Sequence, residues 1–353
     1  MIDWVRKVKV ISPKIERAIH AKRIVWLSAF LLGFSFFHIT VFGGSAEVKI
    51  SLKKKMQLPV RELSALSPYV NNQFIGIGDH KAEVLIFKYD GSEISSVRRI
   101  DFSKVLLDLF SLCSTYMNQT CIEHGSAIIS NWEGIASDSS GRIFALQEHS
   151  GAVVSFLPND VRNSLNIIQL EFDKFHQDQS NRHARRGRSE KLAEGMLLLK
   201  NGHILIVKES NPESILEFAP STHDTPLGLD NNSVLGKREK FNMSVFRGVK
   251  GIKARYKQLK EWRFRGENKC DLSDLSYSKR KSALYLVSQK CKKIMRVDSL
   301  GVTDEFIEIS QEWALPKGIK NPESMIILDD DRFLVGSDRR NYSKNNLYEV
   351  SKK

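Results

Sequence analysis

After Lys55, short apolar runs alternate with polar turns along most of the chain, and this pattern predicts β-strands. The turns are rich in Gly, Asn, Asp and Ser, and amphipathic helical periodicity is scarce. Five segments share one order: an acidic residue, an apolar strand, a polar turn, a second apolar strand and a third strand. The segments begin at Glu62, Glu133, Glu194, Asp271 and Glu323.

Repeated sheet units of three or four strands predict an all-β fold, a β-propeller with five blades. Fourth strands are expected in SSVRRIDF, NIIQLEF and KQLKEWRF. The spacing of the repeats exceeds what a minimal blade needs, so several blades contain insertions, and a sixth blade could lie in one of them. The last repeat ends after its third strand, almost at Lys353. We expect the segment around 55–60 to supply its fourth strand and close the ring.

A long apolar segment precedes the repeats. Residues 24–43 contain no Lys, Arg, Asp or Glu, and twenty residues of helix rise about 30 Å, enough to cross a bilayer core. The positive-inside rule places the preceding basic segment in the cytoplasm and the rest of the chain across the membrane. The alternatives are a signal peptide cleaved near Gly44-Ser45-Ala46 and a buried core helix. We therefore predict a cytoplasmic segment (1–23), a transmembrane anchor (24–43), a linker (44–58) and a propeller (59–353).

Aligning the repeats reveals two columns of acidic residues. The first column directly precedes the first strand and contains Glu62, Glu133, Glu194, Asp271 and Glu323. The second column ends the second strand and contains Asp79, Glu148, Glu209 and Asp338, with Gln289 in the remaining place. In an antiparallel hairpin the start of one strand lies beside the end of its partner. Nine carboxylates are therefore expected around one mouth of the central channel.

Carboxylates at close range repel one another, so such a ring is expected to be neutralised. Hard oxygen ligands in flexible geometry suit Ca²⁺ best and Mg²⁺ less well. The alternatives are that the acids cap turns or bond neighbouring blades, or that basic residues such as Lys208 and Lys290 neutralise them.

The strings WEGIA, AEGM, DLSDLSY and VKESNPESILEF resemble the bacterial propellers called SdiA-regulated or YjiK-like, and also the esterase-like phytase propellers. This resemblance, over residues 59–350, implies an exported propeller with calcium at its acidic face. Together with the apolar segment 24–43, it predicts a single-pass protein of a bacterial inner membrane with its propeller in the periplasm or outside the cell. The phytase-like group implies phosphoester hydrolysis. Gln289 and the long basic insertions depart from the pattern and put a shared substrate in doubt.

The chain has four cysteines, and export makes disulfides possible. Cys270 and Cys291 flank the same predicted hairpin, which predicts a bridge between them. Cys113 and Cys121 would then close a small loop. Free buried thiols are the alternative, and the absence of CxxC spacing disfavours a metal site.

The net charge of +13 is concentrated in two segments between repeats. One contains Arg185, Arg186 and Arg188, and the other spans 247–265. Either is a solvated loop face or an anion site for phosphate esters, acidic polysaccharide or lipid headgroups. Export argues against nucleic acid as a partner.

The sequence contains no GxSxG, HExxH, P-loop or dinucleotide fingerprint. His80 and His149 each follow an acid of the second column, either as loop residues or as acid/base groups. Two functions follow from these observations. The first is a membrane-anchored propeller that binds a ligand or envelope protein with calcium at its acidic mouth, and the second is a calcium-dependent phosphoester hydrolase.

Overall fold

The computed structural model describes residues 49–108, 130–173, 193–209, 212–242, 254–265, 270–329, 331–338 and 345–353. All of them belong to one compact unit, Glu47–Lys353. Within these ranges, no helix has the length and apolar character needed to cross a membrane. The predicted anchor at 24–43 lies outside the described residues.

The described residues are almost entirely β-structure. In chain order the strands are β1 (Ile50–Met56), β2 (Leu63–Tyr69), β3 (Gln73–Gly78), β4 (Glu83–Tyr89), β5 (Ile94–Asp101), β6 (Trp132–Ser137), β7 (Ile143–Gln147), β8 (Ala152–Phe156), β9 (Asn166–Glu171), β10 (Met196–Leu198), β11 (Ile204–Lys208), β12 (Ser214–Pro220), β13 (Ala254–Phe264), β14 (Asp274–Ser278), β15 (Ala283–Ser288), β16 (Lys293–Val297), β17 (Phe306–Ile307), β18 (Ile309–Ala314), β19 (Pro322–Ile327), β20 (Arg332–Ser337) and β21 (Leu347–Lys352). A short helix, α1 (Val161–Ser164), precedes β9, and 3₁₀ turns lie at Val70–Asn72 and Lys200–Gly202.

In the part of the chain that the structure describes, these strands form five antiparallel four-stranded units. Unit 1 is β2–β5, unit 2 is β6–β9, unit 3 is β10–β13, unit 4 is β14, β15, β16 and β18, and unit 5 is β19–β21 with β1. The innermost strands β2, β6, β10, β14 and β19 contact one another in that order, and β19 also contacts β2. The predicted all-β propeller is therefore confirmed, and the expected fourth strands correspond to β5, β9 and β13.

A separate apolar core fills each of the five spaces between neighbouring units. Strands in the middle of a unit are buried on both faces, which is why they read as continuous apolar runs. In β15, for example, Tyr285 and Val287 face unit 5, whereas Leu284 and Leu286 face unit 3. Each unit thus contributes to two cores, and packing between units holds the ring together.

The two ends of the described chain meet in unit 5. β1 pairs antiparallel with β21, as expected for a strand that closes the ring. The strand is Ile50–Met56, earlier than the predicted position around 55–60, so it lies within residues 44–58 that we assigned to a linker. The segment was not predicted as a strand because it contains three consecutive lysines. An outer edge strand tolerates them, since it leaves their side chains partly in solvent. The buried side chain of Asn346 accepts from Leu58 N at 2.7 Å and donates to Leu58 O at 3.0 Å.

Units 2 and 3 are joined more closely than separate blades would be. β9 and β13 pair in parallel, which makes one continuous sheet of both units, and β17 pairs with β13 at its far end. Part of the basic segment 247–265 therefore forms an ordered strand. Tyr256 and Trp262 anchor β13 in the cores on its two sides, and Arg255 and Arg263 remain exposed.

Candidate functional site

The acidic residues lie at the end of the ring where the first strand of each unit begins and the second strand ends, which we call the acidic mouth. In units 1, 2 and 5 the first strand opens with a β-bulge. The extra residue of the bulge comes directly after Leu63 in unit 1, Trp132 in unit 2 and Pro322 in unit 5, and it has no paired residue on the second strand. In units 2 and 5 this residue is Glu133 or Glu323.

Unit 1 is offset from this pattern. Its bulged residue is Ser64, and Glu62 lies two positions earlier, at the place that Asn131 and Asn321 hold in units 2 and 5. Glu62, Asn131 and Asn321 all have left-handed backbone, with φ of 48°, 60° and 46°. Asn tolerates this conformation, whereas a glutamate is strained there by roughly 1 kcal/mol or more. The first predicted column therefore mixes two structural positions. The extra residue of the bulge is not visible in the repeat pattern, so residues two positions apart were aligned with each other.

The second column stays in register around the ring. The amides of its residues donate to the carbonyl oxygens of the left-handed residues, with Asp79 N to Glu62 O at 3.1 Å and Glu148 N to Asn131 O at 2.9 Å. Asp338 N donates likewise to an asparagine carbonyl, at 3.0 Å. These backbone hydrogen bonds therefore fix the main-chain position from which each of these side chains extends.

Units 2 and 3 bring three carboxylates together. Ligand oxygens of Glu148, Glu194 and Glu209 all lie within 4.8 Å of one another. Glu148 and Glu194 are each only 3% exposed. The units approach closely because Gly134 has no side chain: a Cβ there would lie 2.8 Å from the carbonyl oxygen of Glu194. We call this group the three-glutamate cluster, and its donors are suited to a hard cation.

Unit 1 holds a second group, made of Glu62, Asp79 and His80. His80 Nε2 contacts the Glu62 carboxylate, and His80 Nδ1 lies 3.9 Å from Asp79 Oδ2. His80 is about half exposed, whereas Glu62 is buried. The imidazole can supply the positive charge for this pair of acids when it is protonated.

The predicted ring is thus divided. Among the described residues, only these two groups bring three possible ligand atoms within 4.8 Å. Glu133 and Asp338 belong to neither group. Asp271 accepts from Ser288 Oγ at 2.5 Å and from Lys290 N at 3.0 Å, so it caps the turn of its own hairpin.

The Gln289 position is also used structurally, because its amide donates to Glu323 Oε1 at 2.6 Å and links units 4 and 5. The predicted Cys270–Cys291 disulfide is confirmed, with a Cα–Cα distance of 5.3 Å. It braces the start of unit 4 against the turn that carries Gln289. Cys113 and Cys121 lie outside the described residues, as do Arg185, Arg186 and Arg188.

One acidic residue at the centre of the ring was missed by the sequence analysis. Asp274 lies at the inner-strand place that the other units fill with small residues: Ala65, Gly134, Gly195 and Ser324. Its side chain accepts from Leu275 N and from Met325 N of unit 5, both at 2.8 Å. Burial raises the pKa of Asp274 well above its ordinary value. Its appearance in a column of small residues is the signal that could have identified it.

The fully buried Lys208 is the basic residue nearest in sequence to the three-glutamate cluster. Strand alternation places it on the same face of β11 as Ile204 and Ile206, which pack against unit 2. Lys208 is therefore the main alternative to a bound cation for neutralising the three-glutamate cluster.

Comparisons with known proteins give a likeness of fold only. No protein-family model and no curated protein matches the sequence. Among solved structures, glutaminyl cyclase from Myxococcus xanthus shares 9% identity over 86% of this chain and 96% of its own, with a TM-score of 0.43. PQQ-bound aldose sugar dehydrogenase from Streptomyces coelicolor shares 8% over 87% and 99%, with a TM-score of 0.42. The WD40 β-propeller domain of Doa1 shares 7% over 82% and 66%, with a TM-score of 0.33. Identities this low say nothing about activity.

Proposed function

We propose that this protein is a membrane-anchored, extracytoplasmic β-propeller that binds Ca²⁺ at its acidic mouth and recognises a ligand or partner at the cell envelope. The observation that carries the proposal is the three-glutamate cluster, in which two neighbouring units aim Glu148, Glu194 and Glu209 at one place. The resemblance to the SdiA-regulated and phytase-like propellers supports the same assignment.

The electrostatics of the cluster favour a bound cation. Two charges 4.8 Å apart repel by about 3.5 kcal/mol at an effective dielectric constant of 20. Three ionised glutamates this close form three repelling pairs, and each pair would destabilise the folded ring by a repulsion of this size. The three glutamates carry more negative charge together than one lysine such as Lys208 can balance.

The donor set favours calcium over other metals. All three ligands are carboxylates, so transition metals that prefer imidazole or thiolate gain little there. The ligands come from the residue after β11, from the segment before β10 and from the residue after β7. Such a mixed origin fits the flexible geometry of Ca²⁺ better than the strict octahedron of Mg²⁺.

Location outside the cytoplasm rests on the apolar segment 24–43 and on its basic flank. The Cys270–Cys291 disulfide supports it, because such bridges persist in oxidising compartments.

The test is a calcium titration of the purified full-length chain, with thermal unfolding as the readout. A ligand at 100 times its Kd stabilises the folded state by about 2.7 kcal/mol. We expect Ca²⁺ to raise Tm of the wild type, and Glu194→Gln and Glu148→Gln to abolish the rise. Glu312→Gln, on the outer strand β18 of unit 4 and ion-paired with Lys293 at 2.7 Å, is the matched control and should leave the rise unchanged. A wild type that Ca²⁺ does not stabilise, or a Glu194→Gln variant that responds normally, contradicts the proposal.

A calcium-dependent phosphoester hydrolase is the second candidate, favoured by the histidines beside the acids. His149 Nδ1 lies 3.7 Å from Glu148 Oε2, next to the three-glutamate cluster, where an acid/base group would be needed. The same proteins should be assayed with p-nitrophenyl phosphate. Turnover that Ca²⁺ restores and that Glu194→Gln abolishes would establish hydrolysis. Stabilisation by Ca²⁺ without turnover would leave binding as the function.

A further inference from the structure

A buried glutamate and two histidines form a separate network in unit 3. His203 Nδ1 lies 2.7 Å from Glu217 Oε1, and His203 Nε2 lies 3.0 Å from His223 Nδ1. His203 is 2% exposed and Glu217 is fully buried, whereas His223 is partly exposed. From this arrangement we propose that His203 and His223 form a binding site for one divalent transition-metal ion, of the class of Zn²⁺, Co²⁺ or Ni²⁺.

Two backbone amides hold the Glu217 carboxylate in place. Leu227 N donates to Oε1 at 2.7 Å and Gly228 N donates to Oε2 at 3.1 Å. In the tautomer in which His203 Nδ1 donates to this carboxylate, the imidazole proton is on Nδ1. The lone pair of His203 is therefore on Nε2 and points at His223. A histidine that donates its other N–H to a carboxylate is the usual arrangement around a protein-bound metal.

The two facing nitrogens are almost at metal-binding separation. Two imidazole nitrogens bound to a tetrahedral metal at roughly 2.0–2.1 Å are about 3.3 Å apart. The observed 3.0 Å would have to increase by only a few tenths of an ångström. Without metal, the Nδ1 proton of His223 fills the space as a hydrogen bond. Metal binding needs no proton release, because His223 can carry the proton on Nε2 instead.

His223 Nε2 is free to take up that proton, since no described residue hydrogen-bonds it. His223 belongs to the segment after β12, where its neighbours Thr222 and Asp224 are both exposed. Solvent on that side supplies the remaining metal ligands. The negative charge of Glu217 behind His203 further stabilises a divalent cation at the pair.

This site is chemically and spatially distinct from the acidic mouth. Two imidazoles select transition metals over Ca²⁺, whereas the three-glutamate cluster offers only oxygens. His203 precedes β11 and Glu209 follows it, so six residues of extended chain, roughly 20 Å, separate the two places. Either site can therefore be tested without the other.

The test is binding of Co²⁺ and Zn²⁺ to the full-length chain in excess Ca²⁺. Co²⁺ bound to imidazole nitrogen gives d–d absorption bands, and calorimetry gives the Zn²⁺ affinity. We expect one site whose Zn²⁺ affinity falls at least tenfold in His223→Gln and 10–100-fold in Glu217→Gln, since loss of such a supporting carboxylate typically costs that much. His149→Gln, at the acidic mouth, is the matched control and should bind Zn²⁺ like the wild type.

Three outcomes would overturn the proposal: no Co²⁺ spectrum in the wild type, an unchanged Zn²⁺ affinity in His223→Gln, or a loss in His149→Gln that equals the loss in His223→Gln. The second would indicate an adventitious ion only. His223 is partly exposed, so its substitution should leave the fold intact, and circular dichroism of the variant checks this. Calcium stabilisation is measured separately with Glu194→Gln, so failure there does not affect this result.

Discussion

Asp274 makes the stability of this propeller depend on pH in an unusual direction. Its carboxyl group is buried among the inner strands, and its hydrogen bonds from described residues both come from backbone amides, Leu275 N and Met325 N. Burial opposes ionisation and raises the pKa well above its ordinary value. Below about pH 4 the side chain is protonated in both folded and unfolded chains. Above it, the unfolded chain releases the proton while the folded chain retains it.

The magnitude follows from proton linkage. Between the two pKa values the folded state holds one extra proton, so this residue lowers the free energy of unfolding by about 1.4 kcal/mol per pH unit. Asp274→Asn cannot titrate. It places one amide N–H against a backbone N–H, at a pH-independent cost of about 1–3 kcal/mol. The stability advantage of the wild type over Asp274→Asn should therefore shrink steadily as pH rises from 4.

Urea unfolding of the full-length chain between pH 2 and pH 8 measures this, with the buried Trp132, Trp262 and Trp313 as fluorescent reporters. Asp90→Asn is a control of opposite sign. Hydrogen bonds from the Ser92 side chain and nearby backbone amides lower the pKa of Asp90 to about 2. The advantage of the wild type over that variant should therefore grow between pH 2 and 4. A difference between wild type and Asp274→Asn that stays constant or grows between pH 4 and 7 would refute the reasoning.

Three further expectations concern stability. Lys352 Nζ lies 4.2 Å from the centroid of the Trp313 ring. In urea unfolding, Lys352→Met should lower the free energy of unfolding by about 0.5–2 kcal/mol, whereas Lys352→Arg should keep the wild-type value. An equal loss in both variants would contradict a cation–π role. Reducing the Cys270–Cys291 bridge should cost about 3 kcal/mol and lower Tm, and peptide mass mapping without reductant should recover that pair. Gly134→Ala should lower the free energy of unfolding in urea by about 1–3 kcal/mol, because the new methyl group would lie 2.8 Å from a carbonyl oxygen of unit 3. If the variant is as stable as the wild type, the two units can separate to make room for the methyl group.

The strands and units were predictable because their burial is simple. Each central strand packs on two neighbouring units, so its sequence is an uninterrupted apolar run that stands out from the polar turns around it. The outer strands were harder, and β1 is the clearest case. Its lysines resemble a linker, and only pairing with β21, about 300 residues away, makes it a strand.

The register of the acidic residues was not predictable from the repeat pattern. A β-bulge adds one residue without changing the apolar pattern on either side, so an alignment can slip by a residue or two at each strand start. Glu62 and Glu133 therefore appear equivalent in sequence, although Glu62 matches Asn131 in space. The second column keeps one backbone position in units 1, 2 and 5, because it follows an unbulged strand end.

The five-fold repetition of the backbone is not matched by five-fold chemistry at the mouth. In units 4 and 5 the equivalent positions are taken by structural bonds: Asp271 caps its own turn, and Gln289 ties Glu323 to the neighbouring unit. In units 2 and 3 the same positions bring three glutamates together instead. A cation attracted to the mouth would therefore be held off the axis of the ring, over the boundary between units 2 and 3. These two units also share one continuous sheet through β9 and β13, so the carboxylates that approach one another are carried on units joined by backbone hydrogen bonds.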